Sequence, residues 1–558
     1  MQMLRTVFKK IENASSKSLA ILIGCTGVVV WARGLVGDFV WDDKFEIVNN
    51  PVVHNIGNLF ISFTGGTFSR GFGLQLGGEY YRPLKTVVMM FLWAIGGGSP
   101  FGFHLFDMLL HIANSIMIFL LSKRLLSRQR AMHAQIISFC AALIFLTHPA
   151  QVESVSLIAS SGVVMYVFFL LSALVMLTSQ RVLTPKRLLL IQLLLFSSLL
   201  SLEQGIVGIV ACSLYVVVFR RNQWKKFVIL SLATIGLYLV LRFGIGHLSF
   251  TVHREYVPID TAPITSRFLT LPFEFVSYLG ILLYPKQLYV YRDEVITAAS
   301  DPRFYLTLPV MLAVITLAVF TLWKHKNTYT FFFFLWLVVA GGVISNIIPL
   351  DTTIAERWLY GLLVPLLLFV GSVIGSIKKK VWVGILTGIA FLFVIAGSLR
   401  TIVREGNFAS EALLFAHDIQ FEKSSYALYN EYAVLQLKNQ QYTAAVSALN
   451  ASIALYPGQS EAYDNLGIAY YSLGQKNKAA AMFQTAVAHA AISKDNKPYD
   501  NYAQFLLLTG NPYALQFTLH ALTIFPQSPK LNTIAAQLYH QKGDETKAQE
   551  YLNKAQGN

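Results

Sequence analysis

The stretch LYGLLVPLLLFVGSVIGSIKKKVWVGILTGIAFLFVIAGS (359–398) decides the fold class. Two long apolar runs flank three consecutive lysines, Lys378, Lys379 and Lys380. Lipid offers no partner to a backbone N–H or C=O, so runs that cross it must close their hydrogen bonds internally, as helices. The pattern recurs upstream, with apolar segments near 19–36, 103–121, 134–147, 163–179, 188–200, 205–219, 227–246, 304–323 and 329–348. Composition agrees: 55% of the 558 residues are hydrophobic, 13% are charged and the mean hydropathy is +0.53. A soluble domain carries roughly 25% charge. This chain is therefore predicted to be an all-α, polytopic membrane protein.

Basic residues mark every second end of these segments. Arg5, Lys9, Lys10 and Lys17 precede the first; Lys123, Arg124, Arg128 and Arg130 follow the second; Arg181, Lys186 and Arg187 follow the fourth. Arg220, Arg221, Lys225 and Lys226 follow the sixth, Lys324 and Lys326 the eighth, and the lysine triplet the tenth. The positive-inside rule then predicts about eleven spans, a cytoplasmic N-terminus and an external C-terminus, periplasmic in a bacterium or lumenal in a eukaryote. Residues 86–95 and 267–290 would break that parity, and both are assigned to juxtamembrane helices in the outer interface. No small-residue cleavage site precedes the acidic loop, so the first run is taken as a span and not as a cleaved signal. The formal charge of +15 does not point to nucleic acid, because residues 405–558 hold ten Lys and no Arg against twelve Asp and Glu. Cys25, Cys140 and Cys212 lie in apolar stretches, without disulfide or zinc spacing.

Beyond Arg404 a repeat with a step of 34–35 residues emerges. Its clearest unit starts at Ser460, with Tyr463, Leu466, Gly467, Tyr470, Ala479, Phe483 and Ala486 at tetratricopeptide positions. The predicted organisation is a membrane domain over 1–400, a linker helix over 401–424 and about four repeats over 425–558. Such an α-solenoid presents a groove suited to a protein or peptide partner.

Polar clusters at the outer helix ends carry the candidate chemistry. FVWDDKFEIVNNP (39–51) places Asp42 and Asp43 at the membrane edge, and EYYRPLK (79–85) places Arg82 on an aromatic ledge. A carboxylate and a guanidinium so placed suit a general base and a phosphate clamp. THPAQVES (147–154) adds His148 and Glu153, SLEQG (201–205) adds Glu203, and NIIPLDTTIAERWLY (346–360) adds Asp351, Glu356 and Arg357. His104, Asp107 and His111 share one face of the second span and are predicted to line the interior. No metal-ligand spacing appears, so no divalent metal is expected. The glycines at 65–66, 71, 73 and 77–78 precede no helix N-terminal phosphate motif, which disfavours a soluble nucleotide-sugar donor.

The string from Val40 to Asn50, YYRPL (80–84), GFHLFDMLLH (102–111), LIFLTHPAQVESV (143–155), SLEQG and IAERWLYG (354–361) together resemble the transmembrane and tetratricopeptide-repeat-containing O-mannosyltransferases. The resemblance covers nearly the whole chain and implies a GT-C glycosyltransferase fold. It further implies inverting transfer of a hexose from a polyprenyl-phosphate donor to Ser or Thr hydroxyls outside the cytoplasm. Asp42 and Asp43 match the family's acidic pair, and Arg82, Glu203, Glu356 and Arg357 its other polar signatures, with His148 and Glu153 on the donor side. Departures are Leu202 where Lys is usual, Ser160 or Ser161 where Arg is, and Asp107 where Asn is. Two alternatives remain: the same donor with a lipid-linked glycan or polysaccharide acceptor, and a non-enzymatic membrane scaffold displaying a repeat domain.

Overall fold

The computed structural model describes residues 8, 10–67, 80–179, 183–248, 257–493 and 495–556. Arg5, Lys9, Arg181 and the glycines at 71, 73 and 77–78 lie outside them. The described residues contain helices and no β-strand, and the chain divides into two compact units, Met1–Leu414 and Phe415–Asn558.

In the first unit every predicted span forms a helix: Ser16–Trp31, Pro100–Arg128, Ala134–Thr147, Ser161–Ser179, Pro185–Ser201, Ile206–Phe219, Trp224–Leu239, Pro302–His325, Thr328–Val343, Leu359–Ile374 and Lys380–Glu405. Local chemistry sets their starts. Ser15 accepts from Ser18 N at 3.0 Å, Asn327 accepts from Tyr329 N at 2.9 Å, and Pro opens the helices at 100, 185 and 302, where no N–H partner is needed. Eight helical segments among the described residues are long and apolar enough to cross a membrane. Pro185–Ser201, Ile206–Phe219 and Thr328–Val343 are shorter, and Ala134–Thr147 bends by 52° into Pro149–Ser156.

Hydrogen bonds sort the helix termini into two sets. In one, Arg124 donates to Val175 O at 2.9 Å, Arg128 to Thr178 O at 2.8 Å and Arg220 to Leu177 O at 2.7 Å. Three cations from two neighbouring helix ends thus meet the last carbonyls of Ser161–Ser179, where open C=O groups and the helix dipole both favour positive charge. In the other set, Trp31 Nε1 donates to Leu146 O and Thr401 to Thr147 O, each at 2.9 Å. The helices of one set therefore run opposite to those of the other, with Arg124, Arg128 and Arg220 gathered at the end away from Leu146 and Thr147.

The helix Ile264–Leu283 is long enough to cross, yet both of its ends bond at the acidic-motif end. Arg267 donates to Ile347 O at 3.4 Å near its start, and Leu282 O accepts from His148 Nε2 at 3.0 Å near its finish. It lies along the end of the bundle at which the short helix Pro83–Gly96 also begins, beside Arg82.

Among its described residues the second unit holds four helix pairs: Tyr426–Lys438 with Tyr442–Leu455, Ser460–Ser472 with Lys476–Ser493, Lys497–Leu508 with Ala514–Ile524, and Pro529–Gln541 with Glu545–Ala555. Small residues let partners approach: a Cβ added at Gly467 would meet the Phe483 ring at 2.8 Å. Polar rungs join successive pairs, Asn465 to Asn430 at 3.0 Å, Asn501 to Asp464 at 2.6 Å and Ser528 to Asp500 at 2.8 Å. The segment 401–424 is not one linker helix. Residues 401–405 finish the long helix, Gly406–Ala409 forms a 3₁₀ turn, and Glu411–Asp418 is a separate short helix.

Candidate active site

The turn that presents the acidic pair is held in an uncommon conformation. Trp41 has φ of 49°, a left-handed backbone that a bulky residue keeps only when its surroundings fix it. Its N–H donates to Glu411 Oε1 at 3.2 Å, and its ring packs against Tyr291 with centroids 5.1 Å apart.

The two acids then part company. Asp43 is buried with both oxygens engaged, Oδ2 accepting from Val40 N at 3.0 Å and Oδ1 from Ala159 N at 2.6 Å. Asp42 is half-buried and makes no hydrogen bond among the described residues. Burial, reinforced by Glu46, pushes the Asp42 carboxyl up to about 7, while Arg357 draws it down. Burial pushes Asp43 up to about 8, against the two N–H donors that favour its charged form. A free carboxyl titrating near neutrality is suited to accepting a proton; Asp43 is suited to holding the loop.

Behind the pair, Lys85 forms a buried ion pair with Glu46 and donates to Ala159 O at 2.5 Å. Asp43 and Lys85 therefore grip the same residue, one through its N–H and the other through its C=O.

The cationic side of the site gathers on Glu203. Its carboxylate accepts from Arg82 Nε at 3.0 Å, Tyr81 N at 2.8 Å and Arg242 Nη1 at 3.4 Å. Arg82 also stands 4.2 Å over the Tyr80 ring and lines a pocket with Asn50, Ser62, Thr64 and Thr67. Two guanidiniums thus converge on one carboxylate, the donor type that recognises phosphate.

Arg357 differs from its sequence reading as a phosphate fork. Nη1 donates to Glu153 Oε1 at 2.5 Å, Nη2 to Asp351 Oδ2 at 3.0 Å, and its backbone N to Glu153 Oε2 at 2.9 Å. The fork is occupied by two acids, so Arg357 ties loops together and acts on Asp42 through its charge. Glu356, the preceding residue of the same 3₁₀ turn, forms a buried pair with Arg292 at 3.0 Å. His148 uses both ring nitrogens on backbone, accepting from Ala150 N at 3.2 Å and donating to Leu282 O. Glu356, His148 and Glu153 are thus engaged in contacts that join loops and helix ends.

His104, Asp107 and His111 all lie buried, the latter two in contacts between helices. Ser161 donates to Asp107 Oδ2 at 2.5 Å, and His111 pairs with Tyr360 OH at 2.9 Å and Leu146 O at 3.1 Å. Asp107, one departure from the pattern of the resembling proteins, is thereby partnered by Ser161, one of the two serines at the other. Among the described residues no group of three or more His, Cys, Asp or Glu is placed to hold a metal. Sequence reasoning missed Glu46, Lys85, Arg242 and Arg292. For Arg242 a signal existed: it is a lone cation far into the apolar run 227–246.

The family model of the tetratricopeptide repeat matches residues 460–488 and 529–557, the second and fourth helix pairs. Over most of its length the chain is similar to proteins named as protein O-mannosyl-transferases. It is 27% identical over 288 residues to F38B6.6 of Caenorhabditis elegans, covering 51% of this chain and 39% of that protein. With TMTC3 of Mus musculus it shares 23% over 518 residues, covering 86% and 55%. The chain thus spans about half the length, or less, of these curated relatives. Among solved structures, ArnT from Cupriavidus metallidurans bound to undecaprenyl phosphate aligns over 88% of this chain and 81% of that one, at 14% identity and a TM-score of 0.38.

Proposed function

We propose that the chain is a multi-pass membrane glycosyltransferase moving mannose or another hexose, with inversion, from a polyprenyl phosphate to Ser or Thr hydroxyls of proteins on the extracytoplasmic side. The observation that carries the reading is Asp42, an uncommitted acid titrating near 7 at the end of the bundle away from the basic clusters. Asp42 takes the hydroxyl proton as the acceptor oxygen attacks the anomeric carbon opposite the phosphate. The carbon–oxygen bond to phosphate breaks, and the phosphate keeps the electron pair. Arg82 and Arg242 meet the charge that develops there, so no step is assigned to a divalent ion. The named relatives support the transfer class, and the repeat unit favours a protein or peptide acceptor over a glycan. The basic clusters support a cytoplasmic N-terminus.

The test uses the full chain in lipid vesicles with a polyprenyl-phosphate hexose and a Ser/Thr-rich peptide. Glycopeptide mass spectrometry should find hexose on Ser or Thr with the native chain and almost none with Asp42→Asn. Transfer to a lipid-linked glycan but never to peptide would reassign the acceptor, and no transfer to either would end the reading.

A further inference from the structure

We propose that Glu411, on the segment leaving the last membrane helix, is a positioning residue for Asp42: its carboxylate fixes the left-handed turn at Trp41 from which Asp42 projects. The two oxygens straddle the acidic pair, Oε1 lying 3.2 Å from Trp41 N and Oε2 2.5 Å from Lys44 Nζ. Neighbouring bonds extend the seam: Asp38 N donates to Ala409 O at 3.1 Å, and Arg33 Nη1 to Ile402 O at 3.1 Å. A strained residue persists when its surroundings over-determine it. Glu411 supplies the one side-chain acceptor for the strained N–H among the described residues.

The roles of the two oxygens are unequal. Lys44 has a side chain 36% exposed and can turn to water if its partner is lost, whereas Trp41 N has a backbone-fixed direction. Holding therefore resides in the acceptor at Oε1 and not in the ion pair. If the turn relaxes, Asp42 gains water and leaves the surroundings formed by Glu46, Asp43, Lys85, Arg357 and Asp351. Its titration then moves towards the ordinary carboxylate range.

This inference rests on the proposed role of Asp42 for its importance, but its test needs neither donor nor acceptor. The full chain in lipid is labelled with a water-soluble carbodiimide and glycinamide across pH 5–9, a range chosen as about two units either side of neutrality. Modification at Asp42 is read by peptide mass spectrometry. Glu411→Gln keeps an oxygen at Oε1 and loses the charge. Glu411→Asp keeps the charge but withdraws the carboxylate by one carbon–carbon bond, about 1.5 Å. The Asp42 midpoint should stay at its native value in Glu411→Gln and fall by about one pH unit or more in Glu411→Asp. A purely electrostatic or general structural role predicts the reverse order or no difference. Any order other than the one stated overturns the assignment.

Discussion

Transfer should depend on a single ionisation near pH 7 that belongs to Asp42. Burial and Glu46 hold this carboxyl at about 7, with Arg357 opposing them. A base works only when ionised, so the initial rate should fall about tenfold for each unit below pH 7 and level off above about pH 8. Asp42→Asn keeps size and polarity but removes the base. It should lower the rate ~10²–10⁴-fold, about 3–5 kcal/mol of barrier, and erase the acid limb. Arg357→Met removes the opposing charge and should move the limb to higher pH. Stability runs the other way: the folded chain binds the Asp42 proton more tightly than the unfolded chain, so this group's contribution is greatest below about pH 4 and is lost as pH rises to about 7. The assay is initial hexose transfer to peptide across pH 5–9 by the full chain in vesicles, a range about two units either side of neutrality. Near-native rates for Asp42→Asn, or an acid limb that stays in place when Arg357 loses its charge, would refute the reasoning.

Lys85→Met strands the buried Glu46 carboxylate and should cost about 3–5 kcal/mol in thermal unfolding, with much of the loss recovered when Glu46→Gln is added. Arg242→Gln should raise the donor KM roughly tenfold or more by removing one charged partner of the phosphate, while peptide KM holds; an equal rise in both would place Arg242 elsewhere. Gly467→Val forces a Cβ into the Phe483 ring and should cost about 1–3 kcal/mol in the unfolding of the repeat unit, seen by calorimetry. An unchanged melting temperature there would show that the ring has room to move.

Whatever repeats or lies in one dimension was legible in the sequence. Apolar runs, basic clusters at alternate ends and the Ser460 unit each depend on near neighbours, and each found its helix. The helix Ile264–Leu283 matches a span by length, yet the parity of the basic clusters already set 267–290 apart, and the positions of Arg267 and Leu282 against other loops agree. The site was legible as residue types and much less as partnerships. Arg357 sits beside Glu356 in sequence, yet its partner Glu153 is 204 positions away. Glu46 and Lys85, 39 positions apart, are joined only by burial. Asp42 and Asp43 are sequence neighbours whose side chains must diverge, so they could not share one role. Which one stays free was settled by where the backbone of Ala159 comes to rest.

That backbone has a consequence for engineering the loop. At 159 the N–H is claimed by Asp43 and the C=O by Lys85, while the side chain is a bare methyl. The instruction written at this position is carried by the peptide group, which nearly every amino acid supplies alike. Serine, glycine or cysteine could stand there with little change in either bond. Proline, which lacks the donor, would silence Asp43's second anchor without altering a single charge. A mutational screen that samples only alanine and charge reversals would pass over residue 159, and one that includes proline would find it.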